Sequence, residues 1–486
     1  MTGRRLSMAT LRDLPPSVAI PTYDRAALRT GIVHLGIGAF HRAHQAVYTE
    51  AVLAGGDTRW GIMGASLRRA DTRDALAPQD GLYTVNQRGE TDRLAVIGSV
   101  RGVLVAPEDP AAVIAALAHP DVAIASLTVT EKAYCSDAAT GHLDEAHPDI
   151  QHDLAHPGAP RSALGLLSAG IDRRRAAGLP PFTVLCCDNL PSNGATVHRL
   201  LTRFATLRAP DLGAYVEGSI ACPDTMVDRI VPSTTAEDRA RIAAGLGLDD
   251  AWPVIAEPFT QWVIEDRFTA GRPDWAATMV KDVAPFEAMK LRLLNGSHSA
   301  LAYLGYLAGY ETVAEAIGDP GLAAFVAGLM ADTIPTLSVP AGTDVVGYTH
   351  ALIERFRNPA LRHRTWQIAM DGTQKLPPRL LAPLRERLAQ GLPIRRHALV
   401  VAAWMRYVTG VSETGGTIDV RDPLASTLAD IAGRAGPVAA RLVPALLDLA
   451  TVFGDLGRDP RVQDAVTTAL NLLYVRGAAR AAVLAA

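Results

Sequence analysis

The stretch Gly31-Ile-Val-His-Leu-Gly36-Ile-Gly38-Ala-Phe-His41 decides the fold. Its apolar run between two glycines predicts a short buried strand, and the pattern after Gly38 predicts a helix that continues to about Leu53. Two glycines at such a junction allow a tight turn and a close approach of the backbone to a phosphate. Because His41 stands where a third glycine is usual, an ordinary glycine turn is the alternative.

Strands and helices alternate through the first part of the chain. Further strands are predicted over residues 60–66, 95–105, 122–129 and 182–187, with helical patterns between them. This alternation predicts an α/β fold with a parallel sheet of the Rossmann type. Beyond about residue 285 the patterns are helical only. We therefore predict a dinucleotide-binding domain over residues 1–285 and a mainly α-helical domain over residues 286–486.

Composition and charge exclude several kinds of partner. Of the 486 residues 49% are hydrophobic, and the net charge of -3 gives no positive surface for nucleic acid or anionic membrane. No apolar run approaches about 18 residues, so no membrane-spanning segment is predicted.

The four cysteines form no CxxC motif, and they fit reduced thiols of a cytoplasmic protein better than disulfides or a metal pair at Cys186 and Cys187.

A second stretch, Lys290-Leu-Arg-Leu-Leu-Asn295-Gly-Ser-His298, combines a base, an amide and an imidazole. On an α-helix Asn295 would lie about 140° and His298 about 80° around from Lys290, so one broad face could present all three. Such a lysine can take a hydroxyl proton, the amide can hold the developing alkoxide, and the imidazole can orient a second hydroxyl. The set suits oxidation of an alcohol or reduction of a ketone. The alternative is a solvated lysine, a turn asparagine and a core histidine.

Polar residues also follow later strands. Asn189 comes after the strand at 182–187, at the edge where parallel sheets bind ligands, and either donates to a substrate oxygen or caps its loop. Asp228 either orients the imidazole of His298 or pairs with Arg229.

The end of the second predicted strand bears on the choice of cofactor. Ser66 stands where an acidic residue would bind the adenosine ribose, and Arg68 and Arg69 follow it. Arginines there either accept a 2′-phosphate, which would suit NADP, or are solvated loop charges.

Five blocks of sequence together resemble the long-chain mannitol dehydrogenase family, over nearly the whole chain. They are Ile32-Val-His-Leu-Gly-Ile-Gly-Ala-Phe-His-Arg-Ala-His-Gln45, Ser126-Leu-Thr-Val-Thr-Glu-Lys-Ala-Tyr134, Cys187-Asp-Asn189, Thr225-Met-Val-Asp-Arg-Ile-Val-Pro232, and Lys290 to His298. The resemblance implies an NAD-binding Rossmann-type domain, a helical domain, an active site in the cleft between them, and no metal. The cofactor would be bound by Gly36, Ile37, Gly38, Ala39, Phe40, His41 and Ser66.

The resemblance also implies roles for individual residues. Lys290 resembles the general base, and Asn189 and Asn295 resemble the pair of amides that holds the substrate oxygen. The family's substrate-orienting positions are matched by Asp228, His298 and Lys375. Acidic positions near the catalytic lysine are matched by Glu131 and Glu287, whose roles the resemblance leaves open.

One segment resembles a particular branch of the family, the fructuronate reductases or D-mannonate oxidoreductases. It is Asn358-Pro-Ala-Leu-Arg362-His363-Arg364-Thr-Trp-Gln367-Ile-Ala-Met-Asp-Gly-Thr-Gln-Lys375. Mannitol-specific relatives usually carry arginine where Gln367 stands. Because an acid sugar needs a cation for its carboxylate, the candidates are Arg362, His363, Arg364 and Lys375, and we assign substrate binding to the last three.

The resemblance thus implies an enzyme that interconverts D-fructuronate and D-mannonate with NAD, NADP remaining open. A dehydrogenase of D-mannitol or D-arabinitol is the alternative, and a non-catalytic dinucleotide sensor on the same fold is a third reading. The expected partner is a small sugar acid or polyol. The expected assembly is a monomer or a weak homo-oligomer.

Overall fold

The computed structural model describes residues 3–137, 140–340 and 342–486. The chain divides into two compact units, Met1–Ala284 and Pro285–Ala486. Within the described ranges no helix is both long and apolar enough to cross a bilayer.

The first unit carries the strands. They are β1 (Thr30–Leu35), β2 (Gly61–Ser66), β3 (Tyr83–Gln87), β4 (Arg93–Ile97), β5 (Val100–Val105), β6 (Ile124–Leu127), β7 (Thr183–Cys186), β8 (Thr225–Asp228), β9 (Val254–Ala256), β10 (Gln261–Glu265) and β11 (Thr278–Val280). Five of them form a parallel sheet in the order β5-β2-β1-β6-β7. Two smaller sheets have the orders β11-β10-β8 and β4-β3-β9. The predicted Rossmann-type fold is confirmed.

The prediction of one strand over residues 95–105 is wrong, because two strands of different sheets occupy it. β4 pairs with β3, whereas β5 pairs with β2. The chain turns between them at Gly98 and Ser99, whose N–H groups both donate to the carboxylate of Glu50 at 2.8 Å. A carboxylate from a distant helix therefore sets this break.

Nine helices accompany the strands in the described part of the first unit. They are α1 (Ala39–Ala43), α2 (Gln45–Ala54), α3 (Asp71–Leu76), α4 (Pro110–Leu117), α5 (Pro148–Ala155), α6 (Ala163–Ala176), α7 (Asn193–Arg208), α8 (Pro210–Ser219) and α9 (Ala236–Leu246). The predicted helix to Leu53 is in fact α1 and α2, separated at His44 by non-helical angles of φ -123° and ψ -92°.

Alternate residues of β1 belong to different cores, as a sheet covered on both faces requires. Val33 and Leu35 pack with residues of α4, α6 and α7, whereas Ile32 belongs to the cluster on the other face. The sheet is therefore buried on both sides, and the carboxyl ends of its strands are left to position polar groups.

The second unit is helical throughout its described residues, as predicted. Its helices are α10 (Ala284–Met289), α11 (Gly296–Leu307), α12 (Val313–Gly318), α13 (Pro320–Thr333), α14 (Val345–Phe356), α15 (Thr365–Ala369), α16 (Gly372–Leu376), α17 (Ala382–Ala389), α18 (Arg395–Tyr407), α19 (Ala425–Ala435), α20 (Ala439–Leu447), α21 (Ala450–Phe453), α22 (Pro460–Arg476) and α23 (Ala478–Ala485). Two π-helical segments, Lys290–Asn295 and Pro377–Leu381, interrupt them. Most of α11 is buried in one large apolar core.

Candidate active site

The turn after β1 requires glycine at position 36, whereas Gly38 has free space around its backbone. Gly36 has φ +88°, and a Cβ added there would lie 2.2 Å from the carbonyl oxygen of Thr128. Gly38 precedes α1, and a Cβ there would meet nothing closer than the Gly36 oxygen at 3.8 Å. The turn is thus tight on its inner side and exposes backbone on its outer side, which suits a dinucleotide phosphate.

Other residues of this turn are oriented into the protein. Ile37 is buried against Gly64 of β2, where an added Cβ would lie 2.3 Å from the Ile37 Cδ1 atom. Ala39 and Phe40 are partly buried at the start of α1. His41, at the position of the missing glycine, is completely buried. A cofactor could therefore contact Ile37 and His41 through their backbone only.

His41 stacks on His34 of β1, with ring centroids 3.4 Å apart and an interplanar angle of 18°. The two ring nitrogens of His34 lie 2.7 Å from the Ser126 hydroxyl and 2.8 Å from the Thr128 hydroxyl. Burial lowers the pKa of His34 to about 3, so its imidazole is neutral. In the usual motif a third glycine lets the helix pack closely on the strand. Here the neutral rings of His34 and His41 lie between α1 and β1 at that position.

The residues that bear on the choice between NAD and NADP lie at and after the carboxyl end of β2. Ser66 ends the strand and is largely buried. Arg68 and Arg69 are exposed, and Arg69 lies 3.1 Å from the Asp71 carboxylate. The acidic residue thus lies beyond the strand and pairs with a neighbour.

Asp188 holds the loop that contains Asn189, a role that the sequence reasoning missed. Its carboxylate accepts hydrogen bonds from the backbone N–H groups of Val129 at 2.9 Å and Thr130 at 3.1 Å, and from the Tyr134 hydroxyl at 2.7 Å. Burial nevertheless raises the pKa of Asp188, since it outweighs these hydrogen bonds. Thr130 has φ +73°, an unfavourable conformation for a β-branched residue. The loops after β6 and β7 are therefore fixed together, and the exposed Asn189 follows the anchor.

Asn193 ties the same loop to β8 and was also missed. Its amide nitrogen donates to the Asp188 carbonyl and to the Thr225 carbonyl, both at 3.0 Å, and its amide oxygen accepts from the Thr225 N–H at 2.8 Å. Asp228, buried at the other end of β8, is held in a fixed register by this anchor. The only signal in the sequence is a polar residue at the start of α7.

Arg229 does not pair with Asp228 in the described part of the chain. The guanidinium of Arg229 donates instead to the carbonyl oxygens of Ala43 and Glu257.

Lys290 and Asn295 open and close a π-helical segment, so the expectation of an α-helix here is wrong. The N–H of Gly296 donates to the Leu291 carbonyl, five residues back. In such a helix residues five apart are related as residues four apart are in an α-helix, on nearly the same face. Lys290 and Asn295 are thus closer in direction than the expected 140°. Lys290 is 8% exposed, so its side chain is largely removed from water.

The π-segment is anchored from its other side. Arg292 donates to both carboxylate oxygens of Glu386, at 2.8 and 2.7 Å, and to the Thr336 carbonyl at 2.5 Å. A Cβ added at Gly296 would lie 3.0 Å from the Arg379 carbonyl of the second π-segment. Packing between these segments, which local pattern does not encode, favours the π geometry.

His298 lies in a group of basic residues that we call the cationic cluster, and its members are His298, Arg355, His363, Lys375 and Arg379. The ring of His298 is 4.7 Å from that of Phe356 and 5.3 Å, edge to face, from that of His363. Burial, followed by the charges of His363, Arg355 and Arg379, holds the pKa of His298 well below its usual value. Burial and then Lys375 lower that of His363 to about 4. Both imidazoles are therefore neutral near pH 7.

Two ring nitrogens in the cationic cluster lack partners. His298 Nε2 and His363 Nδ1 are buried, and neither has a hydrogen-bond partner among the described residues. The ammonium of Lys375 donates to the Ile368 carbonyl at 3.3 Å and lies 3.8 Å from Asp371. Unmet nitrogens beside cations are what a polar anionic ligand would satisfy.

The assignment of Arg364 to substrate binding stays a prediction. The side chain of Arg364 is exposed, and its backbone pairs with Thr312. Arg362 and Gln367 are exposed as well. Arg355 and Arg379, which no motif singled out, contribute positive charge at His298, and Arg379 donates to the hydroxyl of the adjacent Ser299 at 3.3 Å.

A group of three side chains elsewhere has metal-ligand chemistry. Ligand atoms of Cys135, His147 and Asp149 lie within 4.8 Å of one another. His147 Nδ1 already accepts the Asp149 N–H, and burial with nearby carboxylates raises the pKa of the Cys135 thiol to about 11. Without a bound ion the thiol of Cys135 is therefore protonated near pH 7.

A parallel α/β unit with an open glycine turn, and a helical unit with a buried lysine, a buried imidazole and a partly buried amide, are typical of an oxidoreductase. Two family models match the chain, the mannitol dehydrogenase Rossmann domain over residues 30–277 and the mannitol dehydrogenase C-terminal domain over residues 282–474. The chain belongs to the mannitol dehydrogenase family.

Known relatives cover nearly its whole length. It is 49% identical to D-mannonate oxidoreductase of Escherichia coli strain K12, over 97% of this chain and 99% of that protein. It is 43% identical to mannitol 2-dehydrogenase of Aspergillus fumigatus over 93% of each chain. The solved mannitol 2-dehydrogenase of Pseudomonas fluorescens, a ternary complex with NAD and D-mannitol, superimposes with a TM-score of 0.88 at 39% identity, over 98% of each chain.

Proposed function

We propose that this protein interconverts D-mannonate and D-fructuronate in the cytoplasm, with NAD as cofactor. The positive charge around His298 is the observation that carries the choice of an acidic substrate. The identity of 49% to D-mannonate oxidoreductase over almost the full length supports the same reaction.

The turn after β1 fits a dinucleotide. Backbone of Gly36 to His41 would hold the pyrophosphate, beside the exposed Gly38, and Ser66 would lie at the ribose. NAD, when bound, supplies the hydride acceptor for oxidation and, reduced, the hydride donor. We propose NAD rather than NADP because the solved relative carries NAD and because Arg69 is engaged by Asp71.

Lys290 would manage the proton. In the oxidation of mannonate its neutral amine takes the proton of the C5 hydroxyl, and in the reduction its ammonium returns that proton to the oxygen. Mannonate and NAD⁺ thus give fructuronate, NADH and one proton. Asn295, on nearly the same face of the π-segment, would hold the oxygen as charge develops. We assign Asn189 the second amide from its motif.

His298 would orient a second hydroxyl through its unmet Nε2 atom. Because its pKa is well below the usual value, it stays neutral and does not compete with Lys290 as an acid. Lys375 and His363 would bind further oxygens of the substrate. Asp228 would act as an orienting carboxylate by its matching motif.

The test follows NADH absorbance with the purified enzyme on fructuronate, fructose, mannonate, mannitol and arabinitol, each with both cofactors. We expect kcat/KM for fructuronate to exceed that for fructose at least tenfold, since a charge-assisted contact contributes about 1.5–3 kcal/mol. Equal or faster turnover of the neutral sugars would overturn the proposal.

The alternative is a polyol 2-dehydrogenase that acts on D-mannitol or D-arabinitol. The full-length similarity to mannitol 2-dehydrogenases, at 43% and 39% identity, favours it. Preferred oxidation of mannitol in the same panel would establish it.

A further inference from the structure

Two contacts hold Arg379 in its place in the cationic cluster. Its guanidinium donates to the Ser299 hydroxyl at 3.3 Å, one residue from His298. Its carbonyl lies so close to Gly296 that an added Cβ would be 3.0 Å away. Backbone and side chain together thus hold Arg379 along the first turn of α11.

The neighbours of Arg379 suit a ligand with both hydroxyls and a negative charge. His298 and His363 each have one buried ring nitrogen without a partner among the described residues, and both rings are neutral near pH 7. Neutral imidazoles suit hydroxyls, whereas a planar guanidinium suits a carboxylate, to which it can donate two parallel hydrogen bonds.

Other cations near His298 are less suited to this task. Lys375 lies 3.8 Å from the Asp371 carboxylate, which offsets its charge, and its ammonium cannot donate two parallel hydrogen bonds to a carboxylate as a guanidinium does. Arg362 and Arg364 are exposed. Arg355 acts on His298 by charge and is the neighbour in sequence of Phe356, whose ring lies against that imidazole.

We infer that Arg379 binds the carboxylate of the acid sugar and so sets the preference for fructuronate over fructose. This inference rests on the proposed function and assigns its charge recognition to one residue. Arg379 acts as a specificity residue and takes no part in the proton transfer by Lys290.

Fructuronate and fructose provide a matched test, because they differ only in a carboxylate or a hydroxymethyl group at the end remote from the ketone. We expect Arg379→Gln to lower kcat/KM for fructuronate about tenfold to a hundredfold, the range for a lost hydrogen bond to a charged group. The value for fructose should change less than about threefold. Arg379→Lys keeps the positive charge but not the two parallel N–H donors. Its kcat/KM for fructuronate should therefore fall less than that of Arg379→Gln.

Arg357→Gln is the matched control, since Arg357 is exposed and pairs with Glu354 on the same surface turn at 2.6 Å. It should leave both substrates unchanged. Equal losses on fructuronate and fructose in both Arg379 variants, or a loss of selectivity in Arg364→Gln instead, would overturn the inference. A wild-type enzyme that reduces fructose but not fructuronate would overturn the proposed function itself, before any variant is made.

Discussion

Each unit of this protein contains a pair of histidine rings in contact, and the two pairs differ in the side chains that surround them. In the first unit His34 and His41 are stacked and completely buried. Both nitrogens of His34 meet hydroxyl groups, whereas neither nitrogen of His41 has a hydrogen-bond partner among the described residues. In the second unit His298 and His363 meet edge to face, and each keeps a nitrogen without a partner among the described residues.

The difference separates a structural pair from a binding pair, although both pairs have lowered pKa values. Burial is the largest cause of the lowered pKa in all four residues. What distinguishes the second pair is the number of cations near it, because Arg355, Arg379 and Lys375 act on it, whereas Arg42 alone among the described arginines and lysines acts on the first pair. Neither a lowered histidine pKa nor an unmet ring nitrogen is by itself evidence of a binding site, since His41 has both. The combination of unmet nitrogens with several surrounding cationic side chains is such evidence.

The largest expected effect tests whether the chemistry belongs to the second unit. Lys290→Ala should lower kcat about a hundredfold or more, because a lost general base typically costs that much. Tight NADH binding, measured by fluorescence, should persist, since the nucleotide is proposed to bind the first unit. Lys281→Ala, which removes an exposed lysine, is the control. Retention of most of the turnover in Lys290→Ala would remove this residue from the mechanism.

The same substitution in both histidine pairs should have opposite consequences. His34→Asn should lower the free energy of unfolding by about 2 kcal/mol, because at least one buried hydroxyl loses its partner and the stack is broken. His298→Asn should instead lower kcat/KM about tenfold with a smaller loss of stability. Urea unfolding and initial rates measure the two effects. Equal behaviour of the two variants would abolish the distinction between the pairs.

The last expected effect concerns the pH dependence of stability and is shared by both units. The pKa is lowered to about 3 in His34 and in His397, so between about pH 6.5 and pH 3 the unfolded chain binds protons that the folded chain excludes. Stability should therefore fall as the pH falls below about 6.5, by up to about 1.4 kcal/mol per pH unit for each histidine.

Urea unfolding between pH 7 and pH 5 measures this slope. His397→Gln should reduce it by one proton, whereas replacement of the exposed His142 by Gln should leave it unchanged. An unchanged slope in the His397 variant would show that this imidazole is protonated in the folded protein.

Much of the fold could be predicted from the sequence because its signals are local. The apolar run before Gly36 and the alternation of strand and helix define the parallel sheet. The split between β4 and β5 could not be predicted, because the carboxylate of Glu50 imposes it from another part of the chain.

The candidate site was harder to predict from the sequence, because several of its contacts join distant parts of the chain. Lys290, Asn295 and His298 are visible in one short stretch, but their leucine-rich surroundings fit an α-helix as well as a π-helix. Arg379 is far from His298 in sequence and belongs to no motif, so only tertiary packing places it in the cationic cluster. Asp188 and Asn193 act through backbone groups of other loops, which no local pattern reveals.

The π-helical segment makes the number of residues between Lys290 and Gly296 as important as their identity. Deleting one of them would restore ordinary α-helical winding and swing the lysine about 100° relative to α11. A chain shortened by one of the intervening residues would keep Lys290, Asn295 and His298, but the Lys290 amine would point in a different direction. Enzymes of this design should therefore tolerate exchange of the intervening leucines far better than a change in length.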